Sequence, residues 1–558
     1  MSLPLLAGLV LVALYFGYTV YGRFIASRYA LDDAKATPAT ERADGVDFVP
    51  TKPFYLLGQH FSAIAAAGPI VGPIAACQLW GWAPCVLWIV LGVVLIGAVH
   101  DFTALVASIR HGALSIAEIA RENLGRRAWL ALTTFIWLSL VYVIVAFTDV
   151  TARTFLGDSE DLPTGGTFNK GGGVAFAAVA YILVAVIMGL VQRRWRLSTA
   201  VLTAIFVPAT LACVWLGTQP DLSTLLRFEA RTWQIAILGY CVVASLLPVS
   251  WLLQPRGYLG GFILYIALFF GVVGIFFGGH STIAQPAFAS PGEGLGKSIF
   301  PFLFVTIACG ACSGFHGLVC GGTTSKQIEK ESHCRAVGYG AMLLEAFVAL
   351  VALATVLILS PAEAKGRPAG QIYGEGLASF ATTLLGQGAR RVAAVFGSMA
   401  FSTFVFDTLD VATRLGRYLL EELFGSKSRA GGLIATLATA GAPLAVLLLG
   451  GAGGVMKYWV LFGSANQLLA GLTLLSLSVW LARSGRRVRY VLAPAVFILS
   501  ITTWSLGAHA VAGLPELAGG FTAAGMNGIV AVVLLLLAGL FVYEAARAVR
   551  AGRRTDRA

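Results

Sequence analysis

Seven ionisable side chains lie inside long apolar stretches of this sequence, where charge is most costly. They are His60, His100, Asp101, His316, Glu345, Asp407 and Asp410. Ionisable groups at membrane depth are rare and usually line a substrate or ion path. Imidazoles and carboxylates also exchange protons when burial or a neighbouring charge shifts them. The sequence therefore predicts that these residues bind a solute or carry protons.

The composition places these residues in a membrane protein. Of the 558 residues, 58% are apolar and only 12% are charged, about half the charged share of a soluble domain. This excludes a soluble enzyme and a disordered scaffold. The net charge of +12 does not indicate nucleic-acid binding, because basic residues mark the cytoplasmic connections of membrane proteins. The sequence has no Walker A pattern and no site for redox or hydrolytic chemistry, so we expect neither an enzyme nor a cofactor.

Fifteen apolar stretches are long enough to cross a bilayer, which takes about 20 residues. They are residues 3–24, 54–80, 84–108, 128–150, 173–191, 197–217, 231–253, 257–278, 299–320, 335–359, 391–418, 430–450, 457–482, 488–510 and 527–548. The shorter stretch 373–388 is expected to be an interfacial or re-entrant helix. Because no basic residue precedes the first apolar run, residues 1–30 are expected to be a retained peripheral anchor.

The basic residues orient these stretches. Counted from 25–53, alternate connections and the C-terminal tail carry 29 of the 39 lysines and arginines, and the other connections carry 10. The richer set belongs in the cytoplasm, which places the N-terminus outside and the C-terminus inside.

Two stretches contain prolines that should interrupt a helix. Gly68-Pro69 and Gly72-Pro73 lie four residues apart in the second stretch, and Pro248 lies in the seventh. Proline removes a backbone donor, and freed carbonyls and half-helix ends suit ions and carboxylates. The two stretches run in opposite directions, so they predict a five-plus-five inverted repeat with residues 54–217 and 231–418 as its halves and 430–558 as additional helices. Expected substrate-binding residues in these stretches are Gln59, His60, Ser62, Gly68, Pro69, Gly72, Pro73, Pro248 and Gln254.

The ninth stretch is rich in glycine, cysteine and hydroxyl groups. Ser313 and His316 are further candidates for substrate binding, and His316 is alternatively a buried structural histidine. Cys309, Cys312, His316 and Cys320 share one helical face, but residues 309 and 320 lie about 16 Å apart along a helix. We therefore expect packing cysteines rather than a metal site.

Coupling-ion candidates are the remaining ionisable residues and two hydroxyls, namely Glu345, Asp407, Asp410, Asp101, Thr323 and Thr324. Asp407 and Asp410 lie one helical turn apart, and Arg414 is a possible structural partner for them. Asp101 is alternatively a partner of Arg110. The threonine hydroxyls, together with freed carbonyls, leave a sodium site open.

Several motifs resemble the carbon starvation protein A (CstA) family of bacterial inner-membrane transporters. They are residues 44–51 (DGVDFVPT), 68–73 (GPIVGP), 313–316 (SGFH), 322–326 (GTTSK), 337–343 (VGYGAML), 407–414 (DTLDVATR) and 462–470 (FGSANQLLA). The resemblance implies uptake of peptides or pyruvate during carbon starvation, coupled to protons. It also implies a leucine-transporter-like core of the amino acid–polyamine–organocation superfamily.

Two other functions compete with a proton symporter. One is a sodium-coupled amino-acid or peptide symporter. The other is a proton-translocating subunit of a respiratory complex, which the lack of lysines inside the apolar stretches disfavours. A nutrient sensor would need a signalling domain that the connections are too short to hold. The expected partners are a small solute, a coupling ion and the lipid bilayer, and the sequence leaves the oligomeric state open.

Overall fold

The chain is helical almost throughout. The computed structural model describes residues 1–45, 47–65, 67–162, 166–195, 197–249, 251–280, 282–292, 294–426, 428–450, 456–520 and 522–555. In these residues the strands form a single antiparallel pair, Ser159–Asp161 with Thr167–Asn169. The predicted fold class, a predominantly α-helical chain, is thereby confirmed.

Within the described residues, twelve helices are long and apolar enough to cross a membrane, and each coincides with one predicted stretch. They are Leu3–Ser27, Trp82–Arg110, Arg126–Thr154, Lys170–Trp195, Thr199–Gly217, Leu253–Phe277, Arg335–Leu357, Gln387–Phe424, Arg429–Leu449, Met456–Arg483, Arg489–Ala518 and Ala523–Arg550. Hydropathy finds them because in lipid every backbone polar group must be bonded within the helix. The chain is a multi-pass membrane protein.

The other three predicted stretches are shorter or broken helices. The second is the pair Pro53–Ile64 and Gly68–Trp80, bent by 50°, and the seventh is the 17-residue helix Ala230–Leu246. The ninth is divided into Ile299–Thr306 and Gly314–Gly322. The described residues thus hold twelve spans by length and composition, or thirteen with the bent pair, and the count of fifteen stays a prediction.

Shorter helices fill the connections. They are Pro38–Glu41, Ile116–Leu124, Pro220–Leu225, Thr324–Lys326, Pro361–Ala364 and Ala369–Leu385. The last of these covers most of the stretch predicted as interfacial or re-entrant.

The chain folds into two compact units. The first unit comprises Met1–Ala7, Val143–Ala287 and Leu350–Val455, and the second comprises Gly8–Tyr142, Phe288–Ala349 and Met456–Ala558. Each unit is assembled from three separate parts of the sequence.

The break predicted in the second stretch is present. The first helix ends at Ile64 and the next begins at Gly68, so Pro69 occupies the first turn, where its missing N–H costs no helical bond. Pro73 lies inside the second helix instead of at a further break. Ala66 lies outside the described residues.

The break predicted at Pro248 is placed differently. Helix Ala230–Leu246 ends before Pro248, and the next helix begins only at Leu253. Pro248 therefore lies in the connection between two helices and does not interrupt a span. Ser250, from the same motif, lies outside the described residues.

The ninth stretch contains the second interruption. Residues 307–313 leave helical geometry between Ile299–Thr306 and Gly314–Gly322. No proline lies between residues 307 and 313. In the part of the chain that the structure describes, the second broken helix is therefore the ninth stretch and not the predicted seventh.

Candidate functional site

The two breaks contact each other within the second unit. A Cβ atom at Gly72 would lie 2.6 Å from the carbonyl oxygen of Thr306, and one at Gly68 would overlap Cys309. Only glycine permits this approach of backbone to backbone. The two Gly-Pro pairs therefore serve two purposes, because the prolines start a new helix and the glycines admit the second break.

Helix Met456–Arg483 satisfies the backbone groups that the second break frees. Trp459 Nε1 donates to the Thr306 carbonyl at 3.0 Å, and Gln467 Nε2 donates to the Phe304 carbonyl at 3.0 Å. Asn466 Oδ1 accepts from the backbone N–H of Phe315 at 3.0 Å, at the start of the following helix. Non-helical backbone is tolerated at membrane depth where protein groups satisfy it in this way.

Four of the seven ionisable residues form one buried chain beside this break. His100 Nδ1 donates to Asp101 Oδ1 at 2.7 Å, and Asp101 Oδ2 lies 2.9 Å from His316 Nδ1. His316 Nε2 lies 3.2 Å from Glu345 Oε2. All four residues are at most 1% exposed. Two long helices, Trp82–Arg110 and Arg335–Leu357, and the helix after the break, Gly314–Gly322, therefore bring an imidazole between two carboxylates.

The chain His100–Asp101–His316–Glu345 can hold a variable number of protons. An imidazolium at His316 would match the carboxylates on both sides, because it carries an N–H on each nitrogen. Two carboxylates and one imidazolium then sum to one negative charge, and one more proton or a sodium ion would neutralise the chain. Among the described residues neither oxygen of Glu345 forms a hydrogen bond, and only Oε2 lies within ion-pair distance of His316, so Oε1 is the open position of the chain.

His60 extends the site towards the hydroxyl-rich segment. His60 Nδ1 lies 2.8 Å from Thr324 Oγ1, and Cys320 Sγ contacts the backbone carbonyl of Asp101 at 3.6 Å. Thr323 is exposed and bonds to its own helix through Val319. Among the described residues, no three His, Cys, Asp or Glu side chains are arranged to hold a metal ion.

The remaining predicted binding residues divide between the break and the surface. Ser313 Oγ lies 3.0 Å from Asn466 Nδ2, and Gly68, Pro69, Gly72 and Pro73 are buried. Ser62 is half-buried two residues after His60, whereas Gln59, Pro248 and Gln254 are exposed. Of these exposed residues, Pro248 and Gln254 belong to the first unit, whereas both breaks belong to the second.

Asp407 and Asp410 lie in a separate cluster in the first unit. Arg256 binds both, with Nη2 at 2.6 Å from Asp407 Oδ1 and Nη1 at 2.5 Å from Asp410 Oδ2. The Tyr240 hydroxyl donates to Asp410 at 2.8 Å. Arg414 is turned away from its expected pairing, and its Nη2 donates to carbonyls at the end of helix Ala230–Leu246. One buried arginine thus binds both aspartates, and with both ionised the three side chains sum to one negative charge.

Sequence reasoning missed Arg256 and Asn466. Arg256 lies at the edge of an apolar stretch and counted as a connection residue, although it is only 1% exposed. The signal was the Asp407/Asp410 pair itself, because two buried carboxylates need a cation. Asn466 had a weaker signal as a buried amide in the FGSANQLLA motif.

Two connections are hydrogen-bonded to each other next to the helix that carries His316. We call this pair of connections, residues 28–52 and 323–335, the loop clasp. Thr51 N donates to the Gln327 carbonyl at 3.0 Å, and Ser332 N donates to Asp33 at 2.9 Å. Arg110 Nη2 donates to Glu331 Oε2 at 2.7 Å, so Arg110 pairs with Glu331 and not with Asp101. Residues 323–335 directly follow the helix that carries His316. Their hydrogen bonds to residues 28–52 therefore hold the end of that helix against the first connection.

The loop clasp is expected to loosen only in acid. Burial raises the pKa of Glu331, but hydrogen bonds from Arg110 and the Asp32 N–H outweigh burial and hold this pKa below 4.5, its ordinary value. Hydrogen bonds from Ser332 likewise lower the pKa of Asp33 from 3.8. Both pKa values are lower in the folded state, so their stabilisation is complete above these values and is lost as the pH falls through the lowered ones.

Hydrogen exchange measures this loosening. The amides of Asp32 and Ser332 should stay protected at pH 5 to 8 and lose protection below about pH 4. Glu331→Gln should lower the protection of Asp32 already at pH 7, whereas Glu329→Gln in the same connection should not. Equal protection at pH 3 and pH 7, after correction for the intrinsic exchange rate, would contradict the assignment.

Comparison with known proteins identifies the family. A family model described as "Carbon starvation protein CstA" matches residues 3–367 and 362–505. The chain belongs to this family. The matched region includes both broken helices and the chain His100–Asp101–His316–Glu345, so these are features of a CstA family member.

Three named proteins are similar to most of this chain. A Helicobacter pylori protein named "Peptide transporter CstA" is 35% identical over 88% of this chain and 79% of its own. "Pyruvate/proton symporter BtsT" of Escherichia coli is 31% identical over 90% of this chain and 81% of its own. A Bacillus subtilis "Peptide transporter CstA" is 30% identical over 96% and 95%. All three names describe transporters.

A solved structure also aligns with most of the chain. It is a manganese transporter of Eremococcus coleocola, with 12% identity and a TM-score of 0.48 over 90% of this chain and 97% of that one. At this TM-score the likeness does not establish a shared fold or a shared substrate.

Proposed function

We propose that this CstA family protein is a secondary active symporter that imports a small carboxylate-bearing solute, a short peptide or pyruvate, with protons across a bacterial inner membrane. The relatives' names support both solutes and, in one case, proton coupling. The buried chain in the second unit supports protons as the coupling ion, because it consists of proton-exchanging groups without lysine or arginine.

The observation that carries the proposal is the unpartnered oxygen of Glu345. This carboxylate is fully buried, its one ion pair among the described residues is with the imidazole of His316, and its Oε1 has no hydrogen-bond donor there. A buried carboxylate with an open oxygen is costly when charged and is relieved by one proton. Proton binding at Glu345 therefore changes the charge of the buried chain His100–Asp101–His316–Glu345, which includes His316 in the helix after the second break.

The solute is proposed to bind at the two breaks. Helices Gly68–Trp80 and Gly314–Gly322 both begin there, and helix N-termini attract carboxylates. The tight contact at Gly72 makes the two breaks move together. Protonation beside one break would then be linked to the rearrangement of both, as alternating access requires. We propose a leucine-transporter-like inverted repeat in which residues 54–217 are the first half and the second half begins at the ninth stretch.

Uptake into proteoliposomes tests the proposal. Labelled pyruvate and labelled dialanine would be compared under an inward proton gradient and, separately, under an inward sodium gradient. We expect one of the two solutes to accumulate under the proton gradient, and the accumulation to disappear when an ionophore collapses that gradient. Accumulation driven by sodium alone would favour the sodium symporter instead, and binding without uptake would favour a sensor.

A further inference from the structure

A cavity of about 720 Å³ lies in the first unit, remote in sequence from the buried histidines. Its walls come from the two short strands, the helix Ala369–Leu385 and the first residues of two long helices. The cavity is thus formed by the connection 155–170 and the connection 360–390. Both are connections that the distribution of basic residues places on the outer side.

Charged side chains from both connections converge on this cavity. Outer connections hold only 10 of the 39 lysines and arginines, and four of these 10 line the cavity. They are Lys170, Arg367, Arg390 and Arg391. Three carboxylates, Asp158, Glu160 and Glu375, line it as well. The lining therefore carries both signs of charge and one cation in excess.

The ion pairs in the cavity leave some of its cationic side chains available to bind a ligand. Glu375 accepts Arg367 Nη2 at 2.5 Å and is also paired with Lys170, so one carboxylate serves two cations. Arg390 lines the cavity and forms no ion pair among the described residues. The positive surplus is accordingly concentrated around Lys170 and Arg390.

The negative side of the cavity is formed by the strand residues. Arg391 lies over the ring of Phe168 at 5.3 Å and pairs loosely with Glu160 at 3.4 Å. Glu160 is 62% exposed, so water screens this pair and a ligand's ammonium group could compete for the carboxylate. Asp158 adds a second carboxylate on the same side.

We propose that this cavity is a loading site for short zwitterionic peptides. The peptide carboxylate would bind Arg390 and Lys170, and its ammonium group would bind Asp158 and Glu160. Pyruvate offers a carboxylate but no ammonium group, so it would use only half of the site. The inference deepens the proposed function, since it names peptides as the solute that is captured first, but binding here is measurable without transport.

A fluorescent reporter in the cavity wall tests the proposal on the full-length protein in detergent. Gly388→Cys places an attachment point for an environment-sensitive dye where a Cβ meets no neighbour within 4 Å, and all eight native cysteines are buried. Titration with dialanine should change the fluorescence saturably. N-acetyl-dialanine and dialanine methyl ester, which each lack one charge, should bind on the order of tenfold more weakly.

Two variants locate the binding. Arg390→Gln in the labelled protein should weaken dialanine binding on the order of tenfold. Lys365→Gln, which removes a cation of the same connection outside the cavity lining, should not. No saturable response, an equal response in Arg390→Gln, or pyruvate binding as tightly as dialanine would overturn the proposal. A saturable response in a protein that takes up neither solute would leave the loading site standing and refute the symporter.

Discussion

Glu345→Gln is expected to abolish proton-driven accumulation while leaving exchange of the solute across the membrane. Glutamine has the shape of the protonated carboxyl group, so the variant is fixed in the neutral state of the buried chain. A symporter that carries one proton per solute can support a concentration ratio of about tenfold for each pH unit imposed across the membrane. With two pH units, the limiting ratio of about 100 in the wild type should fall to about 1 in the variant.

Exchange of labelled for unlabelled solute separates this result from loss of folding. Exchange needs the same rearrangement but no net proton movement, so Glu345→Gln should retain it within severalfold of the wild type. Glu363→Gln, which removes an exposed carboxylate from a connection, should change neither activity. Undiminished accumulation in Glu345→Gln would exclude this residue as the proton carrier, and loss of exchange as well would assign it a structural role.

His316 is a less suitable residue to replace than Glu345. Removing its imidazole would leave Asp101 and Glu345 buried in the same chain without the group that lies between them. Breaking a buried charge pair costs about 3–5 kcal/mol, so a loss of transport would have two explanations. Removing one of the two carboxylates instead brings the chain closer to neutrality, which makes its effect on coupling easier to interpret.

Much of the fold could be predicted because helices that cross a membrane require long apolar stretches, which are easily recognised in a sequence. Each predicted stretch corresponds to a helix or a broken helix, and the Gly68–Pro73 break follows from the chemistry of proline itself. The second break has no such local signal. It depends on Trp459, Asn466 and Gln467, which lie about 150 residues away in the sequence. Pro248 misled the prediction because proline is equally suited to a connection between helices.

The candidate site shows the same division. The sequence identified His100, Asp101, His316 and Glu345 individually, because an ionisable residue in an apolar run is conspicuous. Their assembly into one chain depends on which helices are neighbours, and a single sequence does not reveal this. The same limitation assigned Asp410 to Arg414, its neighbour in the helix, and not to Arg256, its partner in space.

Arg256→Met is expected to destabilise the protein by about 3–5 kcal/mol, because it leaves Asp407 and Asp410 without their cation in the first unit. Asp410 is fully buried, and Arg256 is the guanidinium that binds both aspartates. The fraction of protein that remains monodisperse after heating in detergent measures the effect. Arg194→Met, which removes an exposed arginine of the same unit, should leave this fraction unchanged.

Neutralising the aspartates should rescue Arg256→Met. The triple variant Arg256→Met/Asp407→Asn/Asp410→Asn has no unpaired buried charge, and replacing a whole buried ion cluster is often nearly neutral. Because Arg256 holds both aspartates in ion pairs, we also expect the rescued triple variant to accumulate solute under a proton gradient. If it folds but no longer couples uptake to protons, the coupling role belongs to the aspartates of the first unit and not to Glu345. Retained coupling in the triple variant, together with its loss in Glu345→Gln, would assign proton transfer to the buried histidine–carboxylate chain.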